Sequence, residues 1–444
     1  MGLSIRRNPK RAHLLVSDVL GKHVPQNPMV IEFAGKVLGA MVGNVLNERP
    51  AGEMLKPCFK VLHDYLHNGD LHDIHNDWWN KNGAVSREVV PPYLEGWKKW
   101  DANNEHLLQR LPRNHQKVAV IGYAETATAL GFLVAAQLNA WYVHSTRFYT
   151  EHDVAYGTFE ESHSHATNHQ LIPSDPALLN SPATVVLVDD EISTGNTAMN
   201  TIKELESVHH HSRYVIASLL DGRNDEHKQT MAKFAAEHGV TIDVVTLAAG
   251  TVRLPNDVLP RAQEIIENES TPAELNKNTP SRDVPLRLMN LKIKDSHLSR
   301  YGVQPAKYMK GLAESVAWQT LLRANPMDKT LVLGLEEFMY FPLMLAKEMR
   351  KQGAVVDFSS TTQSPVAVID DPGYAIQNAV MFHTKDNAKR FAYNITEGYN
   401  QVVIVVEPGE SVESLFNHGG LIHQIALYID KIVVISFQKE ELDV

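Results

Sequence analysis

Short, unbroken apolar runs, each closed by a turn residue and followed by a helical stretch, recur along this chain and restrict its fold more than any other feature. Val118-Ala119-Val120-Ile121 ends at Gly122 and leads into a helical pattern from Thr126 to Leu138. Trp141 to Ser145, Thr184 to Val188, Tyr214 to Leu219 and Ile242 to Leu247 read the same way, with a helix over Glu226 to His238 between the last two. A strand that is apolar on both sides needs cover on both faces, and a parallel sheet flanked by helices supplies it. The expectation is a doubly wound α/β domain. The pattern stops over Asn256 to Val284, a polar stretch with Pro260, Pro272 and Pro280, which reads as a linker containing one short helix. It resumes with Leu331 to Leu333, Val355 to Phe358, Val402 to Val406 and Ile432 to Ile435. The expected division is 1–255, a linker 256–284, and a second α/β domain over 285–444. Ahead of Lys117, Val30 to Leu46 is helical in pattern, and the His-, Asn- and Trp-rich stretch from Val61 to Trp100 reads as irregular cover.

The length of 444 residues accommodates two or three domains, each large enough to close a core. The one cysteine, Cys58, excludes an internal disulfide and a cysteine-based zinc module, and a reducing cytoplasm is the expected compartment. A formal charge of -10 gives no footprint for duplex nucleic acid. No run reaches the roughly 18 to 20 consecutive apolar residues of a membrane helix, and Met1 to Lys10 does not read as a signal peptide.

The two α/β stretches share a layout. Lys117 and Gly122 are five apart, as are Lys329 and Gly334, and Glu125 and Glu337 each lie three beyond their glycine. A Ser/Thr cluster closes the next strand in both, as Ser145-Thr146-Arg147 and Ser359-Ser360-Thr361-Thr362. Either the unit is duplicated, or two doubly wound domains share a common spacing; the strand orders distinguish the two.

Val185-Val186-Leu187-Val188-Asp189-Asp190-Glu191-Ile192-Ser193-Thr194-Gly195-Asn196-Thr197 carries the chemistry. An apolar strand ends in two carboxylates, and a small, hydroxyl-rich loop enters a helix. The unpaired N–H groups and partial positive charge of a helix N-terminus suit a phosphate. Ser193, Thr194 and Thr197 add hydroxyls, and Gly195 permits close backbone approach. Asp189 and Asp190 can accept hydrogen bonds from vicinal sugar hydroxyls or hold a divalent cation. Together these describe a ribose 5-phosphate pocket; the alternative is a turn followed by an ordinary helix cap.

This stretch resembles the 5-phosphoribosyl-1-pyrophosphate (PRPP) motif of type I phosphoribosyltransferases. His13-Leu14-Leu15-Val16-Ser17-Asp18-Val19-Leu20-Gly21-Lys22-His23, Gly122-Tyr123-Ala124-Glu125-Thr126-Ala127-Thr128 and Glu161-Ser162-His163-Ser164-His165-Ala166 narrow it. They are similar to the orotate phosphoribosyltransferase-like (PRTase_2) family of bacterial tellurite-resistance and stress-response gene clusters. Arg300-Tyr301-Gly302-Val303 and Thr362-Gln363-Ser364-Pro365 resemble the signatures of the TRSP domain that follows it, with Gln363 where arginine is usual. The resemblance implies a type I phosphoribosyltransferase fold followed by a related but degenerate α/β domain. It implies that Asp189 and Asp190 bind the ribose hydroxyls, that Ser193, Thr194, Gly195, Asn196 and Thr197 hold the 5-phosphate, and that Gly122, Tyr123, Ala124, Glu125 and Thr126 face pyrophosphate.

Mg²⁺ is the implied cofactor, with Glu125, Asp189 and Asp190 as its ligands, because acidic Glu125 suits an anion site only with a cation between. Gly122 to Thr126 can equally be a plain strand-to-helix turn. Tyr149 to Gln170 lies where such enzymes carry a mobile loop, and its length without periodicity suggests a lid. Of its histidines, His152, His163, His165 and His169, the pair His163 and His165 are candidate catalytic groups or a metal pair, and equally solvated loop residues. Arg147, whose fork matches paired phosphate oxygens, is the better charge partner for pyrophosphate.

In the second half Val405-Val406-Glu407-Pro408 stands where the acid pair would be, and no Thr/Ser-rich loop follows, so PRPP is not expected there. Glu336, Glu337, Asp370 and Asp371 form either an acidic cluster or exposed turns. Three functions remain open. They are pentosyl transfer from PRPP to a small heterocyclic acceptor with release of pyrophosphate, a non-catalytic PRPP or nucleotide sensor, and a scaffold. A homodimer, or association with enzymes of the same gene clusters, is compatible with each.

Overall fold

The structure is a computed structural model that describes residues 2–6, 13–49, 55–67, 106–111, 117–160, 168–251, 257–268, 283–293, 299–313, 329–371, 374–384, 387–396, 398–408, 412–417 and 419–439. The chain opens with an antiparallel hairpin of β1 (Gly2–Ile5) and β2 (His13–Val16), then α1 (Pro28–Leu46) and α2 (Lys56–His67). Asn27 starts α1 by accepting the Met29 N–H on its side chain at 3.0 Å, with Pro28 in the first turn, where a missing N–H is harmless.

The first sheet begins with β3 (Val118–Gly122), α3 (Thr128–Leu138) and β4 (Trp141–His144). A hairpin of β5 (Gly157–Glu160) and β6 (Asn168–Leu171) follows, then a short helix, α4 (Ala177–Asn180). The sheet is completed by β7 (Thr184–Ile192), α5 (Asn196–Val208), β8 (Arg213–Asp221), α6 (Asp225–His238) and β9 (Thr241–Ala249). Its order is β4-β3-β7-β8-β9, all parallel.

After α7 (Val258–Asn268) come β10 (Leu286–Ile293), α8 (Pro305–Ala313), β11 (Lys329–Gly334), α9 (Tyr340–Lys351) and β12 (Val355–Ser360). The hairpin of β13 (Ala379–His383) and β14 (Lys389–Tyr393) leads to β15 (Gln401–Val405) and β16 (Lys431–Lys439). This second sheet runs β10-β16-β15-β11-β12, again all parallel.

Four strands match in order: β12-β11-β15-β16 repeats β4-β3-β7-β8. Only the fifth strand differs, since β9 follows its sheet in the chain and β10 precedes its own. The agreement extends to single bonds. Ser145 N donates to Gly122 O and Thr361 N to Gly334 O, both at 3.0 Å. Ala124 N donates to Ser145 Oγ and Glu336 N to Thr361 Oγ1, both at 2.9 Å. Thr146 bridges Gln170 on the first hairpin, as Thr362 bridges Phe391 on the second. The strand orders thus favour duplication over coincidence.

The halves are interlocked. Gln26, ahead of the first sheet, pairs with Phe358 at the edge of the second, while Val303, ahead of most of the second sheet, pairs with Tyr142 at the edge of the first. One hydrophobic core runs through α1, α3 and α9 and includes strand residues of both sheets. By length and mean hydropathy (1.5) α1 could cross a membrane, but it carries Glu32 and Lys36 and is mostly buried in this core. Gly35 lets α3 approach it, since a Cβ there would lie 2.7 Å from the Leu133 side chain. The buried Glu32 is tied across the halves to Lys347 at 2.7 Å and within α1 to Lys36 at 2.8 Å.

Several sequence expectations change. β7 does not stop at Val188 but runs through the acid pair to Ile192, because Asp189 and Glu191 keep their pairing with Ser218 and Leu220 of β8. Tyr149 to Gln170 is not wholly irregular, for it contains the β5–β6 hairpin. His163 and His165 lie outside the described residues, as do 68–105 of the expected irregular cover. The short helix expected between the halves is α7.

Candidate active site

The sheet order reverses between β3 and β7, and in open α/β sheets the crevice beyond the strand ends at that point is where ligands bind. The turn after β3 and the loop after β7 face one another there across a single cavity. Of the residues expected to bind PRPP, Tyr123, Ala124, Glu125, Thr126, Arg147, Asp189, Asp190 and Ser193 to Thr197 all line it. Gly122 is not among the lining residues. A Cβ there would lie 2.5 Å from Tyr142 Oη and 2.9 Å from Ala127 O, so the glycine serves packing beneath the turn.

The loop after β7 has the geometry of an anion cradle. Gly195 adopts a left-handed conformation (φ 89°) immediately before α5, and a side chain there would run into Met231 of α6. Asn196 N donates to Thr194 Oγ1 at 3.2 Å, and Ser193, Thr194 and Thr197 remain partly exposed to the cavity. The loop is fixed from behind by Gly222 N donating to Ile192 O at 2.8 Å. Asp189 and Asp190 are also partly exposed, and Asp190 N donates to Asp189 Oδ1 at 2.9 Å.

The turn after β3 is used differently from expectation. Tyr123 N donates to Val188 O at 3.0 Å and Ala124 N to Ser145 Oγ at 2.9 Å, so both of these donors serve the fold. The Tyr123 hydroxyl is buried on Thr201 Oγ1 at 2.9 Å. Glu125 is buried and engaged through both oxygens. Lys22 Nζ pairs with Oε1, Arg147 Nη1 lies 3.2 Å from Oε2, and Gln363 N donates to Oε2 at 3.4 Å. Burial raises this carboxyl's pKa, but Lys22 and then Arg147 outweigh it and hold the group at about 2. Lys22 and Arg147 thus supply protein cations at the carboxylate expected to face Mg²⁺. The same burial lowers the Lys22 ammonium, against the pull of Glu125.

For four sets of residues already named from the sequence, the structure adds a placement. Lys22 and His23 stand in the cavity wall; they belong to the His13–His23 signature, which was the available clue. His169 is buried on β6 with Nδ1 3.0 Å from Ser145 Oγ and Nε2 3.4 Å from Arg147 Nε, and nothing in its sequence neighbourhood distinguishes it from its loop companions. Thr362, Gln363 and Ser364 of the second half complete the wall. Finally, Glu336 and Glu337 do not cluster with Asp370 and Asp371, which are exposed. Glu336 accepts from Arg390 Nε at 2.7 Å and Glu337 from Thr146 Oγ1 at 2.7 Å. Among the described residues no group of three or more His, Cys, Asp or Glu side chains is placed to hold a metal by itself.

The sequence pattern of the phosphoribosyl transferase family PRTase_2 matches residues 1–251, more than half of the chain. The chain belongs to that family. This phosphoribosyl transferase carries behind it a match, over residues 297–425, to the TRSP domain that lies C-terminal to PRTase_2. It is an enzyme, with phosphoribosyl transfer as its general chemistry. No curated protein matches the sequence. Among solved structures, adenine phosphoribosyltransferase from Giardia lamblia, complexed with 9-deazaadenine, is 18% identical over 37% of this chain and 82% of its own, with a TM-score of 0.21. The Trypanosoma brucei enzyme, in complex with AMP, pyrophosphate and ribose-5-phosphate, is 13% identical over 41% and 86%, with a TM-score of 0.23. That from Rhodothermus marinus is 18% identical over 41% and 100%, with a TM-score of 0.21.

Proposed function

We propose that this phosphoribosyl transferase moves the ribose 5-phosphate unit of PRPP to a nitrogen of a small heterocyclic acceptor. One observation carries the reading: the acid pair and the hydroxyl-rich loop with its left-handed glycine open into the same cavity at the point where the sheet order reverses. The N–H groups at the start of α5, with Ser193, Thr194 and Thr197, bind the 5-phosphate. Asp189 and Asp190 accept from the ribose hydroxyls and stabilise positive charge developing at C1 as its bond to the pyrophosphate oxygen breaks. The new bond forms from C1 to the acceptor nitrogen, which gives up its proton, and pyrophosphate leaves toward Arg147.

The donor set fits a hard cation of the kind held by one or two carboxylates together with substrate phosphates, since Asp189 and Asp190 reach the cavity as a partly exposed pair. When bound there, Mg²⁺ supplies neutralising charge for the departing pyrophosphate. Glu125 is left out of this set and is assigned to fixing Arg147 and Lys22. His163 and His165 are proposed to donate to the departing pyrophosphate or to act on the incoming nitrogen.

The division 1–255, 256–284 and 285–444, a cytoplasmic location, and a place in making a nucleoside-like metabolite of the tellurite-resistance and stress-response clusters belong to the same proposal. The test is PRPP-dependent pyrophosphate release measured across a panel of nucleobases and a cell extract. Release with one acceptor class supports transfer. Protein that binds PRPP but releases no pyrophosphate with any of them would instead be a regulatory PRPP-binding protein.

A further inference from the structure

The second half reaches into the site of the first. Thr362 and Gln363 occupy in the second half the place that Thr146 and Arg147 occupy in the first, one and two residues beyond the Ser145 and Thr361 amides that cap Gly122 and Gly334. Each turn crosses to the other half's glutamate. Thr146 Oγ1 and Arg147 N donate to Glu337 at 2.7 and 2.9 Å. In return the Thr362 hydroxyl hydrogen-bonds the Glu125 carboxylate, and Gln363 N donates to it at 3.4 Å.

Glu125 in turn binds two cations of the cavity wall, Lys22 and Arg147. Lys22 is itself held by the second half, since Gln26 is paired with Phe358 and Ser359 Oγ donates to Lys22 O at 3.2 Å. Beside them Ser364 lines the cavity, and its buried hydroxyl has no hydrogen-bond partner among the described residues.

We propose that the TRSP-like half completes the substrate site: its Thr362–Gln363–Ser364 turn positions Glu125, and through it Arg147 and Lys22, for the diphosphate of PRPP. The assignment rests on the PRPP reading above and adds to it that this end of the site is built from both halves. Thr362 and Gln363 are positioning residues, acting through Glu125, whereas the phosphate loop at the opposite end lies wholly within the first half. The two ends can therefore be separated by ligand. Inorganic pyrophosphate probes the shared end, and ribose 5-phosphate probes the acid pair and the phosphate loop.

The experiment is calorimetric titration of the full chain with PRPP, pyrophosphate and ribose 5-phosphate, each with Mg²⁺, for wild type and for Thr362→Val, Thr362→Ser and Ser364→Ala. Loss of a hydrogen bond to a charged group corresponds to about tenfold or more in affinity. Thr362→Val should weaken PRPP and pyrophosphate by about that factor, leave ribose 5-phosphate within about twofold, and be rescued by Thr362→Ser, which restores the hydroxyl. Ser364→Ala should show the same split. Unchanged pyrophosphate affinity in both Thr362→Val and Ser364→Ala, or an equal loss for ribose 5-phosphate, overturns the shared site while leaving the PRPP reading intact. Wild-type protein that binds none of the three ligands overturns the PRPP reading itself, and the shared site with it.

Discussion

Glu125 and Glu337 stand at the same place in the two halves, three residues beyond the glycine that ends the first strand, and both are buried. Their surroundings push them in opposite directions. Glu125 has Lys22 and Arg147 on its oxygens and is held near 2, well below the ordinary carboxyl value of 4.5. Glu337 is raised by burial to about 7; Arg300, the cation nearest in role, pulls it down only in part because it is paired instead with Glu407. Glu407 in turn takes the place of Asp190 at the end of the matching strand, one step beyond Val406 where the first half has Asp189. One duplicated scaffold has thus kept an open acid pair in one half and closed the equivalent corner with an internal ion pair in the other. The difference lies in a few side chains at strand ends, while the strands themselves are alike.

The largest expected effect separates the two corners by activity. Asp189→Asn with Asp190→Asn should lower PRPP-dependent pyrophosphate release by about a thousandfold, with circular dichroism and melting temperature close to wild type. Glu407→Gln, the counterpart change, should leave release within about threefold. A comparable loss from both would show that the second corner is also part of the chemistry.

Next in size is the cation that distinguishes the glutamates. Lys22→Met leaves buried Glu125 with Arg147 as its remaining cation partner, and breaking a buried pair from one side costs about 3–5 kcal/mol, to be read from chemical denaturation. A smaller loss would mean that Arg147 alone satisfies the carboxylate.

The pH dependence sharpens the same contrast. With a folded pKa raised from 4.5 to about 7, Glu337 keeps a proton that the unfolded chain releases, so its contribution to stability falls as pH rises through that window and is constant above it. Glu125, depressed to about 2, contributes above 4.5 and loses its contribution as pH falls from there toward 2. The stability of wild type relative to Glu337→Gln should therefore decline by up to about 1.4 kcal/mol per pH unit between roughly 4.5 and 7, measured by denaturant titration at successive pH values. A flat difference would remove the opposition between the two carboxyls.

The smallest effect concerns the tie between the halves. Lys347→Met leaves Glu32 its second partner, Lys36, and should cost only about 1–2 kcal/mol with pyrophosphate release unchanged. Release that falls with it would show that the packing of α1 against α9 also governs the site.

Most of the sheet was legible because buried parallel strands are apolar on both faces and cannot be mistaken for amphipathic helices of the same length. The expected runs at 118–121, 214–219, 355–358 and 432–435 all lie within strands. Both hairpins, β5–β6 and β13–β14, were missed, since they are short antiparallel strands whose residues mix polar and apolar types. β10 was missed for a related reason: it is an edge strand with Leu286 and Leu288 exposed, and it has no continuous apolar signal. Of the cavity lining, the acid pair and the hydroxyl-rich loop could be read because their pattern is local, a strand end and a helix start contiguous in the chain.

The sequence by itself therefore determined the strand-helix alternation, the repeat and the residues after β7 that line the cavity, all of which depend on neighbours a few positions away. Only the tertiary structure decided that Gln26 and Val303 cross to opposite sheets, that Lys22 pairs with Glu125, and that Thr362 to Ser364 stand in the wall of a cavity some two hundred residues earlier in the chain. Such contacts carry no periodic signature. They arise because two copies of one unit bury their α3 and α9 helices against each other, and that packing, together with α1 between them, brings the matching turns face to face.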